Sequence, residues 1–143
     1  MALPRILLTL TALLIAVLPQ VVDWTPTHIF HPDWPGHARF HLVQLLMVNS
    51  ALGVYALWIL WGPGELTPAR VQRAGFLQVI VLGAFFLSMA LRGFSGATMT
   101  DRAGGVSQLA GGVDPNTALF SVLFAVVLFA LWRARAAAAR DEF

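Results

Sequence analysis

The chain's four histidines, His28, His31, His37 and His41, all fall within one short segment. Asp23, Trp24, Asp33 and Trp34 lie in the same stretch, which Pro26, Pro32 and Pro35 divide into turns. Imidazole supports two kinds of chemistry here. As a neutral ring it is the commonest ligand of zinc, copper, iron and nickel, and three histidines with one open position are the layout of a catalytic zinc site. It also takes and gives protons near neutral pH, which suits general acid–base work. The metal reading names His28, His37 and His41 as ligands, with His31 as a fourth, and zinc, copper or iron as the metal. The acid–base reading needs no metal and gives proton transfer to His37 or His41. The bland reading is an interfacial turn in which amphipathic rings sit at the headgroups.

His37 and His41 are four residues apart, so on a helix they share one face, one turn from each other. Gln44 continues that face, followed by Val48, Ala51 and Tyr55. Asp23, Asp33, Arg92, Asp101, Arg102 and Asp114 supply charge at the same level. Asp23 and Arg92 are the candidates to assist the histidines. Trp24, Trp34, Gln44, Gln78 and Ser88 are the expected lining of a ligand pocket. Gln78 and Ser88 share a face with Arg92 and are expected to point inward, with interhelical hydrogen bonding as their plain explanation.

The elements that position these groups are apolar. Of 143 residues 58% are hydrophobic and 11% charged, against about 25% charged in a soluble domain. Four apolar runs are long enough to cross a bilayer, which takes about 20 residues each. The spacing predicts helices over 4–22, 35–61, 68–91 and 115–132, forming one integral membrane domain. Pro19 is expected to bend or end the first, which is read as a retained helix and not a cleaved signal. Pro35, Thr67-Pro68 and Asp114-Pro115 are helix starts, and Gly62-Pro63-Gly64 is a stop. The predicted fold is therefore all-α: an antiparallel four-helix transmembrane bundle. A long outer loop, Arg92 to Val113, joins the last two helices and holds six of the twelve glycines. Such a loop suits a lid.

Without cysteine there are no disulfides and no thiolate chemistry. All nine basic residues are arginines placed at helix ends, which argues against nucleic-acid binding and for a bilayer surface. Expected partners are the lipid bilayer and a lipophilic small molecule, with homo-oligomers or a larger membrane complex as alternatives.

The stretch THIFHPDWPGHARFH resembles a poorly characterised family of small four-helix membrane proteins from bacteria and fungi. The matching residues are Thr27, His28, Ile29, Phe30, Pro32, Trp34, His37, Ala38 and His41. The resemblance implies three histidines in the site, because His31 falls where the family varies. A fainter likeness links the chain to the emopamil-binding and sigma-2-receptor group. That group has four or five helices, an acid after the first helix and a Trp-rich entry to the second. It implies binding of sterols or amines, or sterol isomerisation by proton transfer. The chain lacks the buried glutamates of that group, since Glu65 and Glu142 lie outside the apolar runs.

Six arginines (Arg5, Arg70, Arg73, Arg133, Arg135, Arg140) fall at one end of the predicted bundle and three (Arg39, Arg92, Arg102) at the other. The positive-inside rule then predicts cytoplasmic termini and an outward-facing histidine segment, in a bacterial inner membrane. A reporter active only outside the cytoplasm, fused after Phe143, is expected to stay silent. A strong signal from that fusion reverses the orientation.

Overall fold

A computed structural model describes residues 1–99, 109 and 112–141. It contains four α-helices: α1 (Ala2–Val22), α2 (Gly36–Trp61), α3 (Pro68–Ser95) and α4 (Pro115–Asp141). All four are long and apolar enough to span a bilayer, so the chain is an integral membrane protein. Lipid cannot satisfy backbone polar groups, and helices satisfy them internally.

The starts fall where turn chemistry places them. Pro35 is the N-cap of α2, with an extended backbone at φ −62° and ψ 147°. The Thr67 side chain accepts from the Arg70 N–H at 3.3 Å, and the Asp114 carboxylate accepts from the Thr117 N–H at 2.8 Å. α1 ends at Val22, the expected end, and runs through Pro19, with the Asp23 N–H reaching the Pro19 carbonyl at 3.0 Å. Two expected ends move. α3 continues past Leu91 to Ser95 and ends on Gly96 at φ +68°, a left-handed cap that suits glycine. α4 continues past Trp132 into an alanine-rich stretch of high helix propensity. Half of the expected Arg92–Val113 loop, including Asp101 and Arg102, lies outside the described residues.

Successive helices run antiparallel. Gln20 of α1 meets Leu46 and Ser50 of α2, and Thr9 meets Trp61 at the opposite end. Phe85 of α3 stacks on Phe120 of α4 with ring centroids 4.0 Å apart, while Gly75 faces Leu131. Helices α1 and α3 also approach closely across the bundle, whereas among the described residues the backbones of α2 and α4 do not. The core is a column of Leu8, Ala12 and Ile15 from α1, Ala56 and Leu60 from α2, Val71, Ala74 and Leu82 from α3, and Val127, Ala130 and Ala134 from α4.

Two devices hold the column. The first is small-residue packing. A Cβ added at Gly53 would lie 2.8 Å from the Ala12 carbonyl oxygen and 2.8 Å from the Ala16 Cβ, so α1 and α2 approach closely only because position 53 has no side chain. The second is a buried polar contact. The Gln78 amide, 1% exposed, donates to the Leu8 carbonyl at 3.0 Å and accepts from the Thr11 hydroxyl. Beyond the core, Arg70 closes the α2–α3 turn by donating to the carbonyls of Ile59, Gly62, Pro63, Gly64 and Glu65.

Gly53 and Gly83 make a paired test. A Cβ at Gly83 meets nothing within 4 Å. Gly53→Ala is expected to destabilise the bundle by about 1–3 kcal/mol, the usual range for overpacking. Gly83→Ala is expected to be neutral or slightly stabilising, because alanine is the better helix former. Thermal unfolding in detergent measures both, and equal midpoints would contradict the close α1–α2 contact.

Candidate functional site

The segment between α1 and α2 folds into consecutive turns. The His28 N–H donates to the Thr25 carbonyl, the His31 N–H to the His28 carbonyl, and the Trp34 N–H to the His31 carbonyl. Ile29 is buried and pins the segment to the bundle. Arg39, from the first turns of α2, reaches back and donates to the His31 carbonyl at 2.7 Å. The turns therefore have a fixed shape, and that shape separates the histidines into three environments.

His28 belongs with Asp23. Its Nε2 lies 3.8 Å from the Asp23 carboxylate, and its Nδ1 lies 2.9 Å from the Thr27 hydroxyl and 3.4 Å from that of Thr25. The arrangement is a carboxylate, an imidazole and a hydroxyl in series, a general form for moving a proton. Burial pushes the Asp23 carboxyl above its ordinary value of 3.8, and the neighbouring His28 opposes that rise.

His31 is buried at 9% exposure. Its Nδ1 accepts from the Asp33 N–H at 3.2 Å, and its ring lies 6.2 Å from that of Trp34. This is a turn-forming role.

His37 and His41 form a pair. Their Nε2 atoms are 3.0 Å apart and their rings meet edge to face, with centroids 4.4 Å apart. At that distance one ring donates and the other accepts. Both are exposed, as are Gln44, Val48, Ala51 and Tyr55 further along the stripe. The stripe thus faces away from the other helices, and Gln44 lines no internal pocket. The hydrogen-bonded pair realises the one-turn spacing read from the sequence.

The wider set does not converge. Among the described residues no group of three His, Asp or Glu side chains is close enough to hold a metal ion. The set His28, His37 and His41, with or without His31, is therefore not assembled here, because the proline-bounded turns hold each histidine in its own hydrogen bonds. Trp24 is exposed and donates to Gln20 at 3.0 Å. Gln78 points inward as expected, and its amide is engaged by α1. Ser88 is exposed, contrary to its expected inward direction, because α3 turns its Gln78 face and not its Ser88 face to the bundle. Arg92 is exposed and donates to the Met89 carbonyl at 2.7 Å, a helix-end contact.

Sequence reasoning passed over several groups. Thr25, two residues before the Thr27 of the motif, carries no signal as an isolated threonine, and its approach to the His28 ring comes from the turn. Gln20 and Ser50 link α1 to α2 beneath the segment, at 2.9 Å from each other. Their signal was a glutamine and a serine inside apolar runs, where every polar side chain needs a partner. Deeper in this half, a cleft of about 40 Å³ touches all four helices and is lined by Asn49 among apolar side chains such as Leu14, Leu82 and Phe120. At that size it has room for a few waters.

Asp23 gives a pH test with a definite sign. Because the fold raises its proton affinity, the folded chain holds this proton to a higher pH than the unfolded chain does. Its contribution to stability is therefore greatest below the ordinary carboxylate range and falls as pH rises through it. Asp23→Asn, which mimics the protonated form, is expected to match wild type at about pH 3 and below and to exceed it in thermal midpoint at about pH 7. A less stable variant at pH 7 would show that attraction to His28 outweighs burial.

No curated protein and no solved structure matches the chain. One family model matches residues 7–135, which covers all four helices and the histidine segment, and the chain belongs to that family, a family of unknown function (DUF6640).

Proposed function

We propose that the chain is a membrane enzyme or binding protein that exchanges protons with the polar end of a lipophilic molecule lying in the bilayer. The observation that carries this reading is the His37–His41 pair, 3.0 Å between Nε2 atoms, at the top of a stripe that stays exposed along α2. A lipophilic molecule lying along Val48, Ala51 and Tyr55 brings its polar end to the pair without entering the bundle. Within the pair one Nε2–H donates to the other ring's Nε2 lone pair, so a polar group that displaces this hydrogen bond meets an acid and a base side by side. Asp23 and His28 supply a second acid–base couple in the same segment. The arginine bias supports placing this site on the outer face, with the termini in the cytoplasm.

A second reading has its own observation. Two nitrogen ligands of a tetrahedral zinc stand about 3.3 Å apart. The His37–His41 separation is close to that, so the pair fits two positions of a zinc, copper or iron site whose other ligands come from water, substrate or a partner.

Two measurements on purified protein separate and test the readings. In D2O, a lipophilic molecule from a membrane lipid extract is expected to gain deuterium at a carbon beside its polar end, where exchange is not spontaneous, with wild type, and not with His37→Ala or His41→Ala. Elemental analysis of the same samples is expected to show no stoichiometric transition metal. One metal per chain, lost in either variant, moves the assignment to the second reading. If no molecule gains deuterium, no metal is present, and lipophilic amines shift the thermal midpoint of neither wild type nor variants, both readings fail.

A further inference from the structure

The opposite end of the bundle carries its own cluster of charge. Arg5, Arg70, Arg73, Arg133 and Arg135 lie there with Glu65. Two of these arginines are already used. The Arg5 guanidinium sits 3.5 Å over the Trp61 ring, and Arg70 closes the α2–α3 turn. Arg73 and Arg135 do neither. They project from α3 and α4 onto one open cavity of about 340 Å³, whose other walls are Ala69, Gln72, Phe76 and Leu131. Neither makes a hydrogen bond or ion pair with another described side chain. Arg73 also borders a second cavity, of about 400 Å³, on its α2 side.

The cavity is amphipathic along its depth. Arg73 and Arg135 stand nearer the helix ends, while Phe76 and Leu131 lie deeper in the bilayer-facing part of α3 and α4. Its width is fixed by close packing beneath it, since a Cβ at Gly75 would come within 2.5 Å of the Leu131 side chain. Two guanidinium groups on neighbouring helices, above an apolar furrow and beside the carboxamide of Gln72, match one chemical class. A phosphate ester would accept from both arginines, and its acyl chains would follow the furrow over Phe76 and Leu131. A soluble anion would leave that apolar floor uncovered.

We propose that the α3–α4 cavity binds the headgroup phosphate of an anionic phospholipid, with Arg73 and Arg135 as the paired cations. The site lies at the other end of the bundle from the histidines, so it stands or falls separately from their function. A resident lipid here would tie α3 to α4 at the end where the hairpin between them does not.

The test uses the full chain in detergent with phosphatidylglycerol, phosphatidylcholine or inorganic phosphate added. Thermal midpoint and native mass spectrometry read binding. Phosphatidylglycerol is expected to raise the midpoint and to remain bound, as a ligand of the folded state does. Phosphatidylcholine and phosphate should do neither. Arg73→Gln and Arg135→Gln should each abolish the rise while folding normally, since both side chains are exposed. Arg133→Gln, which removes an equal charge outside the cavity, should keep it. Equal loss in Arg133→Gln would reduce the effect to general surface charge and overturn the site. A full rise with inorganic phosphate alone would overturn the lipid assignment, and no rise with any of the three would overturn the proposal.

Discussion

Inside a bilayer, apolar surface gives helices little reason to leave lipid for each other, so the bundle depends on what lipid cannot provide. The Gln78 side chain is the central instance. Lipid offers it no hydrogen bond, and α1 offers a carbonyl from Leu8 and the hydroxyl of Thr11. That contact brings α1 against α3 across the bundle, which is why these two helices approach closely and, among the described residues, the backbones of α2 and α4 do not. Gly53 and the small residues Ala12 and Ala16 then let α2 close on the free side of α1. The position of α2 follows, and with it the direction in which His37 and His41 point.

The histidine segment reflects the same economy of partners at the membrane surface. Its backbone is satisfied by successive tight turns and by Arg39. Each histidine is settled by what lies next to it in sequence: His28 by Asp23 and Thr27, His31 by Asp33, and His37 by His41. Proximity in the chain thus gives each histidine a neighbouring partner of its own.

The fold was legible because its signals are local and strong. Hydropathy over about 20 residues defines a span, and Thr67-Pro68, Asp114-Pro115 and Gly62-Pro63-Gly64 mark ends by backbone chemistry alone. The His37–His41 pairing was legible for the same reason, being one helical turn. What the sequence did not reveal is tertiary direction. Periodicity grouped Gln78 with Ser88, yet only the first faces α1, and the rotation of α3 depends on a partner in another helix. The extra turns of α3 and α4 were missed because hydropathy falls before helix propensity does, so the apolar run ended earlier than the hydrogen bonding.

The Arg70 clamp bears on why the chain is built with arginine throughout. Five carbonyls, from Ile59, Gly62, Pro63, Gly64 and Glu65, converge on a single side chain, and its Nε, Nη1 and Nη2 atoms each serve a different part of the turn. A guanidinium does this because its donors are spread over a flat fork about as wide as the turn itself. A lysine ammonium concentrates its three donors on one atom and would reach one edge of the ring of carbonyls, leaving the others to find water at the membrane surface. At this position the choice between the two bases is one of shape, since both carry the same charge.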